Sequence, residues 1–257
     1  MSYPIAIWQG IARTDDTAAA LADLSAAITG ASSVGARLLV APEVFFPGYN
    51  SSNIAALAQP RGGDWHRALS ALCRAQGCGL VVGYAERDGD HVYNSAVAFD
   101  ATGSEVAHYR KTQLFGPREK AIFAPGDTLC TFDAGGIRAA ILICYDVEFA
   151  PLIRELALQG VRLLVVPTAN PEPNIHVSKL VVPAHAINHG LTIAYANYAG
   201  AEGDITYCGG STVVAPDASV LAYAGPGPAL ITADIDRAPD PALIQNQVAD
   251  YRAPKVI

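Results

Sequence analysis

The pattern Gly-x-Arg-Leu-Leu-Val-x-Pro occurs twice in this chain, at Gly35–Pro42 and at Gly160–Pro167. Each copy follows a stretch with helical spacing, Thr17 to Ser32 before the first and Pro151 to Leu158 before the second. Gly ends helices because it enters left-handed backbone conformations without a Cβ clash, and Leu-Leu-Val between Gly and Pro reads as a short buried strand. Two like halves stacked face to face bring both strand ends toward one cleft. Convergent reuse of a unit, or chance, produces the same letters without any such stacking. The copies differ at the next position: Glu43 follows the first Pro and Thr168 the second.

Elsewhere strands and helices alternate, with extra strand pairs. Ile5 to Gln9, Leu38 to Pro42, Arg138 to Cys144, Arg162 to Pro167, Leu191 to Ala196 and Ser211 to Ala215 read as strands. Leu80 to Tyr84 and Val92 to Phe99 read as a strand pair joined by the Asp88-Gly-Asp90 turn. Helices are expected from Thr17, capped by Asp15 or Asp16, over Trp65 to Gln76, and over Ser178 to His189, where Pro183 starts or kinks the helix. At 257 residues and 51% hydrophobic, the chain is long and apolar enough for one large core.

Cys144 stands at an abrupt change of local structure. The strand at Arg138 gives way to a sharp turn, Tyr145 to Ala150, and then to the helix at Pro151. A thiol there is presented to a cleft with backbone N–H groups of the turn beside it, as a nucleophile requires. The ordinary fate of a free Cys is instead that of a small buried hydrophobe. Glu43, in Ala-Pro-Glu43-Val-Phe-Phe-Pro-Gly-Tyr49, reaches a strand end among aromatic residues. Desolvation there raises its pKa and suits it to exchange protons near neutrality, whereas a lone Glu ordinarily faces water. Lys111 in Tyr-Arg-Lys111-Thr-Gln-Leu-Phe, and Glu119 in the charged loop Pro-Arg-Glu119-Lys, read singly as solvated surface charges.

Together these segments resemble the nitrilase superfamily of carbon–nitrogen hydrolases. Glu43, Lys111 and Cys144, the last in Ile-Leu-Ile-Cys144-Tyr-Asp-Val-Glu-Phe, match its Glu-Lys-Cys set in order and surroundings. Glu119 matches a second glutamate, 8 positions after the lysine (119 − 111). Pro167-Thr-Ala-Asn170, Tyr195-Ala-Asn197, and Gly210-Ser211 ahead of Pro216-Asp217 extend the likeness from Ile5 to about Asp234. The resemblance implies an α/β fold, a four-layer α-β-β-α sandwich, with residues 1–257 as a single hydrolase domain and a homodimer or higher homo-oligomer. It also implies an amidase like the short bacterial amidases, including those acting on omega-amino amides. Cys144 is then the nucleophile and Glu43 the general base and acid. Lys111, with the Tyr145 N–H, stabilises the oxyanion, and Glu119 holds Lys111 or the substrate amide. Hydrolysis of N-carbamoyl amines or nitriles, and a catalytically silent binding protein of the same fold, are the alternatives; the complete residue set argues against silence.

Two segments depart from that pattern. Phe149-Ala150-Pro151 replaces the usual Phe-Pro-Glu, and His185, Asn188 and His189 stand where an Arg, a Glu and an Asn are common. The two histidines are four apart, a metal-compatible spacing that without further ligands reads as a packed or solvated pair. For the substrate, Tyr49, Tyr145 and Phe149, with Trp8, offer apolar walls, although core packing is the usual role of each. Asn170 belongs to the substrate-contact set, and Glu202 either orients a pocket loop or reads a cationic amine.

Other classes are disfavoured. The net charge of −7 and the lack of a basic stripe argue against nucleic acid. No apolar run reaches the roughly 20 residues that span a bilayer. Five scattered cysteines suit reduced thiols, and no basic segment with a long apolar stretch opens the chain, so a cytoplasmic setting is expected. No paired Cys-x-x-Cys, His-Glu-x-x-His, P-loop or dinucleotide loop is present, so neither metal nor cofactor is expected.

Overall fold

The computed structural model describes residues 2–236, 239–245 and 247–255; the expected domain 1–257 therefore lies partly outside the described residues. In the first strand, β1 (Pro4–Gln9), Ile5 and Ile7 enter one apolar cluster and Ala6 the other, the period-two alternation that gives a sheet two buried faces. The first sheet adds β2 (Leu38–Val40), β3 (Gly79–Asp88), β4 (His91–Phe99) and β5 (Glu105–Arg110). The second holds β6 (Thr131–Asp133), β7 (Arg138–Ile141), β8 (Leu163–Pro167) and β9 (Thr192–Ala196). After a small hairpin, β10 (Ala201–Glu202) and β11 (Ile205–Thr206), it is completed by β12 (Thr212–Val214) and β13 (Val220–Tyr223). The last strand, β14 (Ala229–Asp234), returns to the first sheet beside β1.

Strand order is β14-β1-β2-β3-β4-β5 in one sheet and β6-β7-β8-β9-β12-β13 in the other. Both begin with an antiparallel edge pair, continue through three parallel strands, and end in two antiparallel steps. The two Gly-x-Arg-Leu-Leu-Val-x-Pro copies supply the middle parallel strands, β2 and β8. Their arginines even make matching backbone bonds: Arg37 N–H to Pro4 O at 2.8 Å and Arg162 N–H to Arg138 O at 2.8 Å. Ile5, Leu38 and Val81 of one sheet share a cluster with Ile141, Val165 and Tyr195 of the other, so the inner faces meet.

Helices cover both outer faces. On the first sheet lie α1 (Thr17–Ser33), the short α2 (Ile54–Leu57) and α3 (Asp64–Gln76), with Leu24, Ile28 and Leu69 buried against Leu39 and Val97. Each such side chain contributes roughly 1.5–3 kcal/mol on burial. Asp16, not Asp15, caps α1 by accepting from the Ala19 N–H at 2.9 Å. Beyond β5 comes α4 (Gly116–Ile122), and on the second sheet lie α5 (Ala150–Leu158) and α6 (Val182–His189), with α7 (Gln247–Asp250) beside them. The layering is α-β-β-α. Among the described residues no helix is long and apolar enough to cross a membrane.

Several local expectations shift. The strand ending at Cys144 stops at Ile141, and Cys144–Glu148 is a 3₁₀ turn. The helix expected from Ser178 is a π-turn at Val177–Val181 followed by α6. Pro183 has no N–H to give to the carbonyl of Lys179, and the Val182 N–H reaches back five residues to Val177 O. His185 and His189 pack ring to ring at 5.4 Å, and burial lowers the pKa of both, His185 to about 4.

Gly83 of β3 fixes the chain beyond β2. Its N–H donates to Pro42 O at 3.1 Å and its carbonyl accepts from Phe45 N–H at 2.9 Å. A Cβ there would stand 2.6 Å from Val44 N and 2.7 Å from Glu43 Cα. Gly83→Ala is expected to cost about 1–3 kcal/mol in urea unfolding and, by displacing Glu43, to lower kcat about 100-fold.

Candidate active site

Three strand ends deliver the charged groups. Glu43 follows β2, Lys111 follows β5, and Cys144 lies just past β7. The Lys111 Nζ donates to Glu43 Oε1 at 2.6 Å and to Glu119 Oε1 at 2.8 Å, with all three side chains buried. Glu119 therefore does not sit in a solvated loop. It rides on α4, where its other oxygen accepts from the Phe115 N–H at 2.8 Å, and the Tyr49 hydroxyl donates to Oε1 at 2.8 Å.

Burial disfavours the Lys111 cation, but Glu43, Cys144 and Glu119 outweigh it and hold the ammonium above its ordinary pKa. Burial raises the Glu43 carboxyl; the Glu119 charge adds to this, while Lys111 and Asn94 oppose it. Asn94, mid-strand in β4, donates to Glu43 Oε1 at 2.7 Å, and its carbonyl receives the Lys111 N–H at 2.8 Å. The sequence reading missed it, although an Asn-Ser pair inside an otherwise apolar strand was the available signal. Glu43 Oε2 is buried with no hydrogen-bond partner, leaving one carboxylate oxygen for chemistry.

Cys144 is half-buried and has φ +47°, in the left-handed region that non-glycine residues rarely occupy. Burial and the Glu43 charge push its thiol well up, against Lys111, so the resting sulfur holds its proton. The Tyr145 N–H lies in the first turn of the 3₁₀ segment, where helix geometry leaves donors unpaired. Asp146, also missed, anchors this turn. Its carboxylate accepts from the N–H groups of Ile143 (3.0 Å) and Gln113 (2.8 Å) and from the hydroxyls of Tyr109 (2.8 Å) and Thr112 (3.1 Å). The Cys144 turn is thus tied to the residues on either side of Lys111.

A cavity of about 80 Å³ opens at Cys144. Tyr49, Tyr145 and Asn170 line it, joined by Phe115, Glu148 and His176, which the sequence reading did not place there. Asn170 is held by Asn197, whose Oδ1 takes the Asn170 N–H at 2.8 Å. Phe149 and Glu202 are not among the lining residues. Phe149 packs edge-on against Tyr145 at 4.9 Å and so backs the wall. Of the two readings of Glu202, orienting a loop or reading a cationic amine, the geometry favours the first. It accepts from Thr14 Oγ1 (2.7 Å), Asn50 N–H (3.0 Å) and the Tyr207 hydroxyl, and ties the β10–β11 hairpin to the loop after Glu43. Trp8 packs on Phe45, away from the cavity. Among the described residues no group of 3 or more His, Cys, Asp or Glu is placed to hold a metal ion.

A family model for carbon–nitrogen hydrolases matches residues 4–239. The chain belongs to the carbon–nitrogen hydrolase family. This hydrolase is 41% identical over 206 residues to a Pseudomonas protegens hydrolase from the region 5′ of pqqF, covering 79% of this chain and 72% of that one. It is 34% identical over 190 residues to an (R)-stereoselective amidase of a Pseudomonas species, covering 73% and 69%. A solved Nesterenkonia amidase, a Glu-to-Gln variant with acrylamide added at its active-site cysteine, superposes with a TM-score of 0.89 at 35% identity, covering 97% and 96%. The hydrolase fold thus rests on agreement of sequence, architecture and buried charge.

Asp146→Asn keeps the volume but turns one acceptor into a donor facing backbone N–H groups. It is expected to cost about 1–3 kcal/mol in denaturant unfolding and to lower kcat/KM, because the turn that loosens carries Cys144 together with the lining residues Tyr145 and Glu148.

Proposed function

We propose that this hydrolase is an amidase that converts a small primary amide to its carboxylic acid and ammonia through a Cys144 thioester. The observation that carries the reading is the buried Lys111 ammonium bridging Glu43 and Glu119 beside a half-buried thiol that lines a cavity. Glu43, with Oε2 free, takes the Cys144 proton as sulfur attacks the amide carbon. Lys111 Nζ and the Tyr145 N–H receive the developing oxyanion. The proton on Glu43 passes to the amide nitrogen, the C–N bond breaks, and ammonia leaves a thioester. Water then gives a proton to Glu43 and its hydroxide equivalent to the acyl carbon. Return of the proton to sulfur releases the acid and the starting enzyme. Glu119 acts through Lys111 as a positioning residue, and a raised thiol pKa is why the base is needed.

Residues 1–257 form one hydrolase domain in this reading, and the enzyme is cytoplasmic and homodimeric. Five free cysteines accord with a reducing compartment, and exposed Leu158 and Leu180, on the face of α5 and the π-turn before α6, offer apolar contact area.

The test is ammonia release from short aliphatic amides. Cys144→Ala is expected to abolish it, and Glu43→Gln to slow it by about 10²–10⁴-fold, with both variants folded by circular dichroism. Wild-type ammonia release from the Cys144→Ala protein would refute the scheme. In the wild type, kcat/KM is expected to fall in acid with a midpoint above 4.5, since protonated Glu43 cannot accept from the thiol and its pKa is raised above that ordinary value.

A further inference from the structure

The cavity at Cys144 has an acidic mouth. Glu148 belongs to the same 3₁₀ turn as Cys144, lines the cavity, and is an exposed residue of the chain. Among the described residues no donor hydrogen-bonds its carboxylate and no cation pairs with it within 4 Å, unlike Glu43, Glu119, Asp146 and Glu202. His176 shares the lining, and the Lys111 charge also reaches Glu148. No Lys or Arg side chain lines the cavity. Lys111 behind it is already bridged by two carboxylates, and Arg118, over the Tyr49 ring, is spent on the carbonyls of Tyr49 and Ser51. Glu43, Glu119, Asp146 and Glu148 therefore face the single ammonium of Lys111 around the nucleophile.

Shape adds to charge. Three aromatic rings, Tyr49, Phe115 and Tyr145, line the same small space, with Phe115 and Tyr145 edge to face at 5.2 Å. An unpaired carboxylate among aromatic rings is the arrangement that receives an ammonium. A volume of about 80 Å³ holds a short chain, so a terminal group a few bonds from the amide carbon reaches the mouth.

We infer that Glu148 sets the specificity of this site, favouring short primary amides that carry a cationic amino group at the far end and disfavouring those that carry a carboxylate. The inference rests on the amidase reading. The part expected of Glu202 falls to Glu148 instead, because Glu202 is saturated by the chain's own donors and lies outside the lining. A partly exposed charge pair at the mouth gives a preference of about tenfold, reduced by salt.

The experiment compares kcat/KM for three primary amides of matched length: 3-aminopropanamide, butanamide and the succinamate anion. The wild type is expected to rank them in that order, with about tenfold between cation and neutral amide, and to lose most of that ratio from about 20 mM to about 500 mM NaCl. Glu148→Gln is expected to bring the cation-to-neutral ratio close to one, and Glu148→Lys to place succinamate above 3-aminopropanamide. A wild-type ratio at or below one, or a ratio unmoved by Glu148→Gln, while butanamide is still hydrolysed in a Cys144-dependent way, overturns the assignment of Glu148 and leaves the amidase reading standing. Absence of ammonia release from all three, with no acyl transfer to hydroxylamine, overturns both.

Discussion

Everything at this site depends on keeping one ammonium in a place that water does not reach. Lys111 is held there by two carboxylates, and removing the ammonium would leave both as uncompensated buried charges, at a cost of several kcal/mol. The arrangement is expensive to build but fixes geometry. Glu43 has one oxygen taken by Lys111 and Asn94, and the other is left for proton transfer. The same cation that orients Glu43 also acts on the Cys144 thiol, so a single residue couples the buried carboxylate to the sulfur.

The two sheets exist, in functional terms, to deliver strand ends to that cation. β2 and β5 come from one sheet and β7 from the other, and the face-to-face stacking of their apolar inner surfaces sets the distance between them. Tight backbone approaches, such as that of Gly83 to the Glu43 segment, leave little freedom for error. Asp146 does the same work across the sheets, joining the turn of Cys144 to the segment of Lys111 through three hydrogen bonds while a fourth, from Ile143, closes its own turn.

What the sequence revealed, and what it concealed, follows the range of the interactions. Glu43, Lys111 and Cys144 stood out only together, as a set of local runs that resembles the family's, for Lys111 alone reads as a surface cation; the Leu-Leu-Val strands were legible because apolar runs between Gly and Pro have few other uses. Glu119 looked solvated among its charged neighbours, since its burial depends on Tyr49 and Lys111, which are distant or differently read in sequence. The strand β5 (Glu-Val-Ala-His-Tyr-Arg) is too polar for a pattern to stand out, and α4 is too short. Glu202 carried the right charge in a suggestive loop, but Thr14, Asn50 and Tyr207 consume it. Glu148 lay in a quoted motif, and only the cavity distinguishes it from any surface acid.

The repeat has a consequence at its very end. Glu43 and Thr168 occupy equivalent positions after the two Gly-x-Arg-Leu-Leu-Val-x-Pro units, and they meet: the Glu43 N–H donates to Thr168 O at 3.3 Å. The point of contact is the place where the two halves of the molecule face their own image. A carboxylate at position 168 would add another buried negative charge to a region where Glu43 and Glu119 already face one ammonium. The two halves share a backbone plan but not a charge: Glu43 ends the first unit, and the neutral, buried Thr168 ends the second. The strands repeat and the charge does not, so one backbone plan used twice yields one acidic strand end per chain.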